Sequence, residues 1–155
     1  MGALKTMLEE EGSELSETET IGDSITDWVM LKETKDAGGL AISFNGNDYA
    51  VRNSSIAVIS DNCMIIPIIS SIFRKSGLKG IKEIATNWSS KTLPKIAQDE
   101  KSSPSLLRQS VDFIRSTSSG FPEVIWIDQQ NLEKAIEKSK KMRKEVRGVA
   151  IGSLG

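Results

Sequence analysis

The chain has 155 residues, 38% of them hydrophobic and 26% charged, with a formal net charge of −1; a domain of this size and balance sustains a core without disulfides or metals. It contains no histidine and a single cysteine, Cys63. Ser-His-Asp and Cys-His chemistry, histidine-ligated metals, thiolate clusters and an internal disulfide are therefore excluded within this chain.

The small net charge hides an asymmetry. Residues 1–36 hold ten acids and three bases, a net of −7, and residues 37–155 hold eleven acids and seventeen bases, a net of +6. Residues 1–27 read as an acidic, flexible tail, because Glu9 through Asp23 offers only Leu15 and Ile21 for burial. Gly2 with Thr6 fits a myristoylation pattern, but Glu9-Glu10-Glu11 would repel an anionic membrane surface. The N-terminus lacks the apolar stretch of a signal peptide. The longest apolar run, Cys63 to Ile69, is far shorter than the roughly 20 residues of a membrane span. These features lead us to expect a cytoplasmic or nuclear chain that is not secreted.

Residues 28–155 are expected to form one globular domain. Asp27-Trp28-Val29-Met30-Leu31 reads as its first strand, and Leu40–Phe44, Tyr49–Arg52 and Ser55–Ser60 as further strands. Asn45-Gly46-Asn47-Asp48 has the composition of a hairpin turn, so these strands are expected to meander antiparallel. Cys63-Met64-Ile65-Ile66 marks Cys63 as a small buried hydrophobe rather than a nucleophile. The pattern then turns helical: Pro67 opens a helix that Gly77 stops, Leu78, Ile81, Ile84, Ala85 and Trp88 carry a second, and Pro94 starts a short turn. Ser103-Pro104 precedes a third helix with Leu107, Ser110, Val111 and Ile114 on one face.

Glu123–Ile127 is the most strand-like segment. Asp128 is placed to cap a helix with a seam of Leu132, Ala135, Ile136, Ser139, Met142 and Val146, ended by Gly148, and Val149-Ala150-Ile151 reads as a last short strand. The order predicts an α+β fold, an antiparallel sheet of three to five strands covered by three or four helices, with a C-terminal strand–helix unit.

Two chemistries suggest themselves. Between residues 134 and 147 seven bases face only Glu137 and Glu145. Lys134, Lys138, Lys140, Lys141, Lys144 and Arg147 make a basic helical face suited to an acidic macromolecule, protein or nucleic acid. On this reading the chain is a non-enzymatic binding or regulatory protein, and its composition suits a viral or accessory protein. The bland alternative is a solvated helix face. Residues 9–23 would sit loosely over Lys134–Arg147 and compete with that partner. The other reading is a Mg²⁺-dependent phosphoryl-transfer or hydrolytic enzyme. It takes Asp61 and Asp128, each following a strand, as hard oxygen ligands at the carboxyl ends of parallel strands. Against it stands the commonness of aspartate as a helix cap. No residue is assigned as catalytic or metal-binding in the first reading, and no cofactor is expected.

Overall fold

The computed structural model describes residues 2–93, 105–117 and 120–148, with side chains from Thr6 onward. The Pro94 turn, the Ser103-Pro104 start and the Val149–Ile151 strand lie outside the described residues. The chain divides into two compact units, Met1–Ile59 with Ile125–Gly155 and Ser60–Val124.

The first unit is built on a four-stranded sheet in the order β1 (Glu19–Gly22), β2 (Leu40–Phe44), β3 (Ile56–Ile59), β4 (Glu123–Trp126), the unit boundary falling within β4. β1 pairs parallel with β2, Thr20 opposite Ala41, and β2 pairs parallel with β3, Ile42 opposite Ile56. The Ile127 amide donates to the Ser55 carbonyl at 3.0 Å. The carboxyl end of β4 thus meets the amino end of β3, and this pair runs antiparallel. The α+β class is as expected, but the sheet is mixed and mostly parallel rather than antiparallel.

The reason lies in two segments whose local signals compete. Trp28–Asp36 forms helix α2 instead of a strand, with Leu31 and Thr34 buried. Asp48–Arg52 forms the short helix α3 instead of a hairpin's second strand. The Asn47 side chain accepts from the Ala50 amide at 3.1 Å, an N-cap that makes Asn45–Asn47 a strand-to-helix loop. With a helix between β1 and β2 and another between β2 and β3, these two connections become crossovers and the strands they join run parallel. The sequence carries the same signal in its burial: Leu40–Ile42 and all of Ile56–Ile59 are buried, the continuous apolar runs of a parallel sheet.

Helix α1 (Gly2–Glu11) and a 3₁₀ turn at Leu15–Glu17 precede β1. The segment expected as an acidic, flexible tail thus includes an edge strand, because residues 19–22 draw their backbone bonds from β2 rather than needing apolar side chains of their own. Helix α6 (Leu132–Arg147) packs on the sheet through Ala135 and Ile136, which cluster with Val51 and Ala57, while Leu31, Ala41 and Ala50 form a second cluster.

In the second unit, helix α4 (Ile66–Thr86) breaks its regular geometry at Gly77 (φ 58°, ψ −161°), where the sequence predicts a stop. In helix α5 (Ser105–Ser116), Leu107, Ser110, Val111 and Ile114 are buried, the face expected from their spacing. Trp88 stacks on Phe121 with ring centroids 5.5 Å apart and donates Nε1–H to the Pro122 carbonyl at 2.6 Å. Cys63 is exposed, contrary to expectation, because it sits in the loop before α4 rather than within the buried helix face.

The turn from α2 into β2 is tight. Gly38 (φ +88°) follows the helix, its amide donates to the Lys35 carbonyl, and the Gly39 amide donates to the Thr34 carbonyl at 2.9 Å, the paired bonds of a helix-terminating glycine motif. A Cβ on Gly39 would lie 2.2 Å from the Leu15 carbonyl oxygen and 2.8 Å from that of Thr18, both backbone atoms. Gly39→Ala is expected to destabilise the chain by at least about 1–3 kcal/mol, the usual range for forcing an added group into a packed site. Denaturant unfolding that shows no loss would contradict this packing.

Candidate functional site at the carboxyl edge

In the first unit, β1 and β2 run the same way and end at one edge of the sheet. Ligands of α/β sheets bind in loops beyond such carboxyl ends. The loop after β1 is Gly22-Asp23-Ser24-Ile25-Thr26-Asp27. It is wound around one carboxylate oxygen, Asp27 Oδ2, which accepts from the amides of Asp23 and Ser24, each at 3.0 Å, and from Ser24 Oγ at 2.8 Å. A Cβ on residue 22 would lie 2.4 Å from Asp27 Cβ, so the winding depends on glycine at that position. The outer oxygen, Asp27 Oδ1, has only a 3.4 Å contact from Thr26 Oγ1.

The loop after β2 lies against the first. The Asn47 amide donates to the Asp23 carbonyl at 2.9 Å. Asn45 holds a left-handed conformation, φ 48°, one of the few that a non-glycine residue such as asparagine tolerates. Its carbonyl is turned toward the last turns of α6.

From α6 come two guanidinium groups. Arg143 is 3% exposed; its Nη1 donates to the Asp23 carbonyl at 2.8 Å and to the Asn45 carbonyl at 3.5 Å, and forms an ion pair with Asp23 Oδ2 at 3.0 Å. Burial lowers its pKa from the ordinary arginine value, and the nearby Asp27 carboxylate opposes that shift; Arg143 stays charged at neutral pH. Arg147, 38% exposed, also pairs with Asp23 Oδ2. Two cations at the carboxyl end of a helix are favoured by its dipole. Two buried donors in this network, Arg143 Nε and Asn47 Nδ2, have no hydrogen-bond partner among the described residues.

The six predicted partner-binding residues divide by position on α6. Lys140 pairs with Asp48 at 2.9 Å and Arg147 with Asp23, so both face the body of the unit. Lys134, Lys141 and Lys144 are exposed and carry no ion pair among the described residues. Lys138 is half-buried and partnered. From the acidic segment of residues 9–23, Asp23 reaches α6.

Asp61 and Asp128 serve local turns. Asp128 Oδ1 accepts from the amides of Gln130 and Asn131 at 2.9 and 3.1 Å, and Asn131 Oδ1 accepts in return from the Asp128 amide. Since β4 runs antiparallel to β3, Asp128 stands beside the amino end of β3, not at the carboxyl edge. Asp61, exposed in the second unit, accepts from Asn62 Nδ2 at 2.7 Å. Among the described residues, no group of three or more histidine, cysteine, aspartate and glutamate side chains is placed to hold a metal.

The class that the fold and this edge define is an α+β protein with a mixed, mostly parallel sheet and a charged carboxyl-edge loop pair. No protein-family model matches the chain, and no curated protein matches it. A solved structure, gene product AF1437 from Archaeoglobus fulgidus, is similar with a TM-score of 0.56 and 25% sequence identity over 87% of this chain. The match covers 33% of the archaeal chain, so the present chain spans about a third of that protein's length.

The two arginines carry different weight. Arg143→Met removes charge-assisted bonds from buried carbonyls and is expected to cost about 2–3 kcal/mol, whereas Arg147→Met removes an exposed pair and should cost under about 1 kcal/mol. Urea unfolding of both variants checks this, and equal losses would show that Arg143 is not the structural anchor.

Proposed function

We propose that the carboxyl edge around Asp23 and Asp27 binds a divalent cation, Mg²⁺ by its chemistry, together with a phosphate-bearing ligand. The observation that carries the reading is the wound β1 loop. It brings two carboxylates to one edge and, among the described residues, leaves Asp23 Oδ1 without a hydrogen bond and Asp27 Oδ1 with one long contact. Mg²⁺ keeps several waters and is held by one or two carboxylates plus phosphate oxygens rather than by a full protein cage. Two carboxylates, without a third acid, suit that ion. Such a cation would neutralise charge on a phosphoryl group, which keeps the phosphoryl-transfer or hydrolytic class open with Asp23 and Asp27 in place of Asp61 and Asp128. Within this chain, Asp27 shapes the loop, Arg143 fixes Asp23 against the β2 loop, and Asn47 fixes both loops to each other.

Mg²⁺ titration followed by thermal unfolding tests this. A cation that binds only the folded state at a hundredfold excess over its Kd should stabilise it by about 2.7 kcal/mol. Asp23→Asn should remove the response. A melting temperature that ignores Mg²⁺ in the unaltered chain would end the proposal.

A second reading has its own observation: Lys134, Lys141 and Lys144 are exposed and unpaired among the described residues. An acidic macromolecule would meet that outer face of α6 as a regulatory or binding partner. A fluorescent single-stranded oligonucleotide is the probe. Its affinity should fall with salt, and Lys134→Glu with Lys141→Glu should lower the slope of log affinity against log salt by roughly 1.4 if both contact phosphates. Affinity that is indifferent to salt would reject this face as a polyanion site.

A further inference from the structure

We infer that Arg147 is a phosphate-binding residue held in reserve by Asp23, and that cation binding releases it. The inference rests on the cation reading above and names the group that would receive the anion.

The asymmetry between the two arginines points there. Arg143 is buried, bonded through one nitrogen to two backbone carbonyls and ion-paired with a carboxylate oxygen. Arg147, one helical turn further, is 38% exposed and has Asp23 Oδ2 as its one ion-pair partner among the described residues. Asp23 is itself 30% exposed. A carboxylate shared by two guanidinium groups is neutralised more than once over, and a divalent cation arriving at Asp23 adds two further positive charges. The exposed, singly held group is the one that gives way, because an exposed ion pair is weak while the buried one is anchored by carbonyls. Released, the Arg147 guanidinium stays tethered at the end of α6 beside the cation. Its planar fork of donors matches a phosphate oxygen pair. Arg147 thus competes with the cation when phosphate is absent and cooperates with it when phosphate is present. In the same network, the buried donors Arg143 Nε and Asn47 Nδ2 have no hydrogen-bond partner among the described residues.

The experiment uses the full chain, with Mg²⁺ alone, inorganic phosphate alone, and both, read by isothermal titration calorimetry and thermal unfolding, for the unaltered chain, Arg147→Met and Arg147→Lys. In the unaltered chain phosphate should tighten Mg²⁺ binding. In Arg147→Met, Mg²⁺ alone should bind about two- to fivefold more tightly, because removing a competing exposed ion pair is worth that much, and the tightening by phosphate should disappear. Arg147→Lys should keep part of the tightening, since lysine retains the charge without the fork. If Mg²⁺ binds the unaltered chain but Arg147→Met changes neither its affinity nor the effect of phosphate, the Arg147 assignment is wrong and the cation site stands. If Mg²⁺ binds none of the three proteins, the cation site and this inference both fall.

Discussion

The first unit depends on one buried charge. Arg143 sits on the face of α6 that packs against the sheet, 3% exposed, and its guanidinium ties together the loop after β1, the loop after β2 and the end of the helix. A guanidinium taken out of water is costly unless its donors find acceptors. Here its partners are two backbone carbonyls and a carboxylate oxygen, all supplied by the two loops at this edge. The cation therefore fixes where those loops stand, and in doing so holds Asp23 at the carboxyl edge. Helix polarity makes this possible. α6 begins beside the amino end of β3, after the turn held by Asp128 and Asn131, and ends at the carboxyl edge, where its dipole favours positive groups.

The same polarity explains why the basic surface of α6 is not one surface. The residues that look alike in sequence, Lys134 through Arg147, wind around the helix. Arg143 faces inward, Lys140 and Arg147 turn toward Asp48 and Asp23, and Lys134, Lys141 and Lys144 turn out to solvent. A net charge count cannot separate these, since the separation depends on which stripe the sheet covers. The buried stripe runs Ala135, Ile136, Ser139, Arg143, while Val146, assigned to it by hydropathy, is 52% exposed. Arg143 falls seven residues after Ile136, two turns along the same stripe. A lone arginine on an otherwise apolar stripe was a legible sign of a buried ion pair, and hydropathy alone passes over it.

Other parts of the fold were legible to different degrees. The segments Leu40–Phe44, Ser55–Ser60 and Glu123–Ile127 declare themselves as strands by β-branched, apolar runs, and α4 and α5 by helical spacing. Strand direction was harder to read, because Asn45-Gly46-Asn47-Asp48 satisfies two local rules at once. Asn-Gly accommodates a left-handed backbone, as Asn45 does, and favours a hairpin; Asn47 followed by Asp48 is equally a helix cap and first turn. What decides between them is tertiary: the cap leads into α3, whose Ala50 and Val51 are buried in the two core clusters. β1 was hidden for another reason. As an edge strand it needs backbone partners rather than a hydrophobic run, and its flanking acids gave the segment the composition of a tail.

The carboxyl-edge loop shows how a local winding becomes a site. Glycine at position 22 permits the close approach of Asp27, and Asp27 Oδ2 then satisfies three donors that would otherwise be idle. This uses one oxygen of that carboxylate and leaves the other with a long contact from Thr26 Oγ1. Asp23 is used in the same divided way, with Oδ2 given to the arginines and Oδ1 left over. Asp128 likewise holds its turn with one oxygen, Oδ1 accepting from two amides at the other end of the sheet. Asp23 and Asp27 thus hold the loop with one oxygen each, Asp23 against the arginines of α6 and Asp27 against the loop's own donors. Two acids in one loop need a counter-charge, and Arg143 supplies it: it pairs with Asp23, and the Asp27 carboxylate opposes the lowering of its pKa by burial. The arginine that anchors the loops is therefore also the charge that balances their acids.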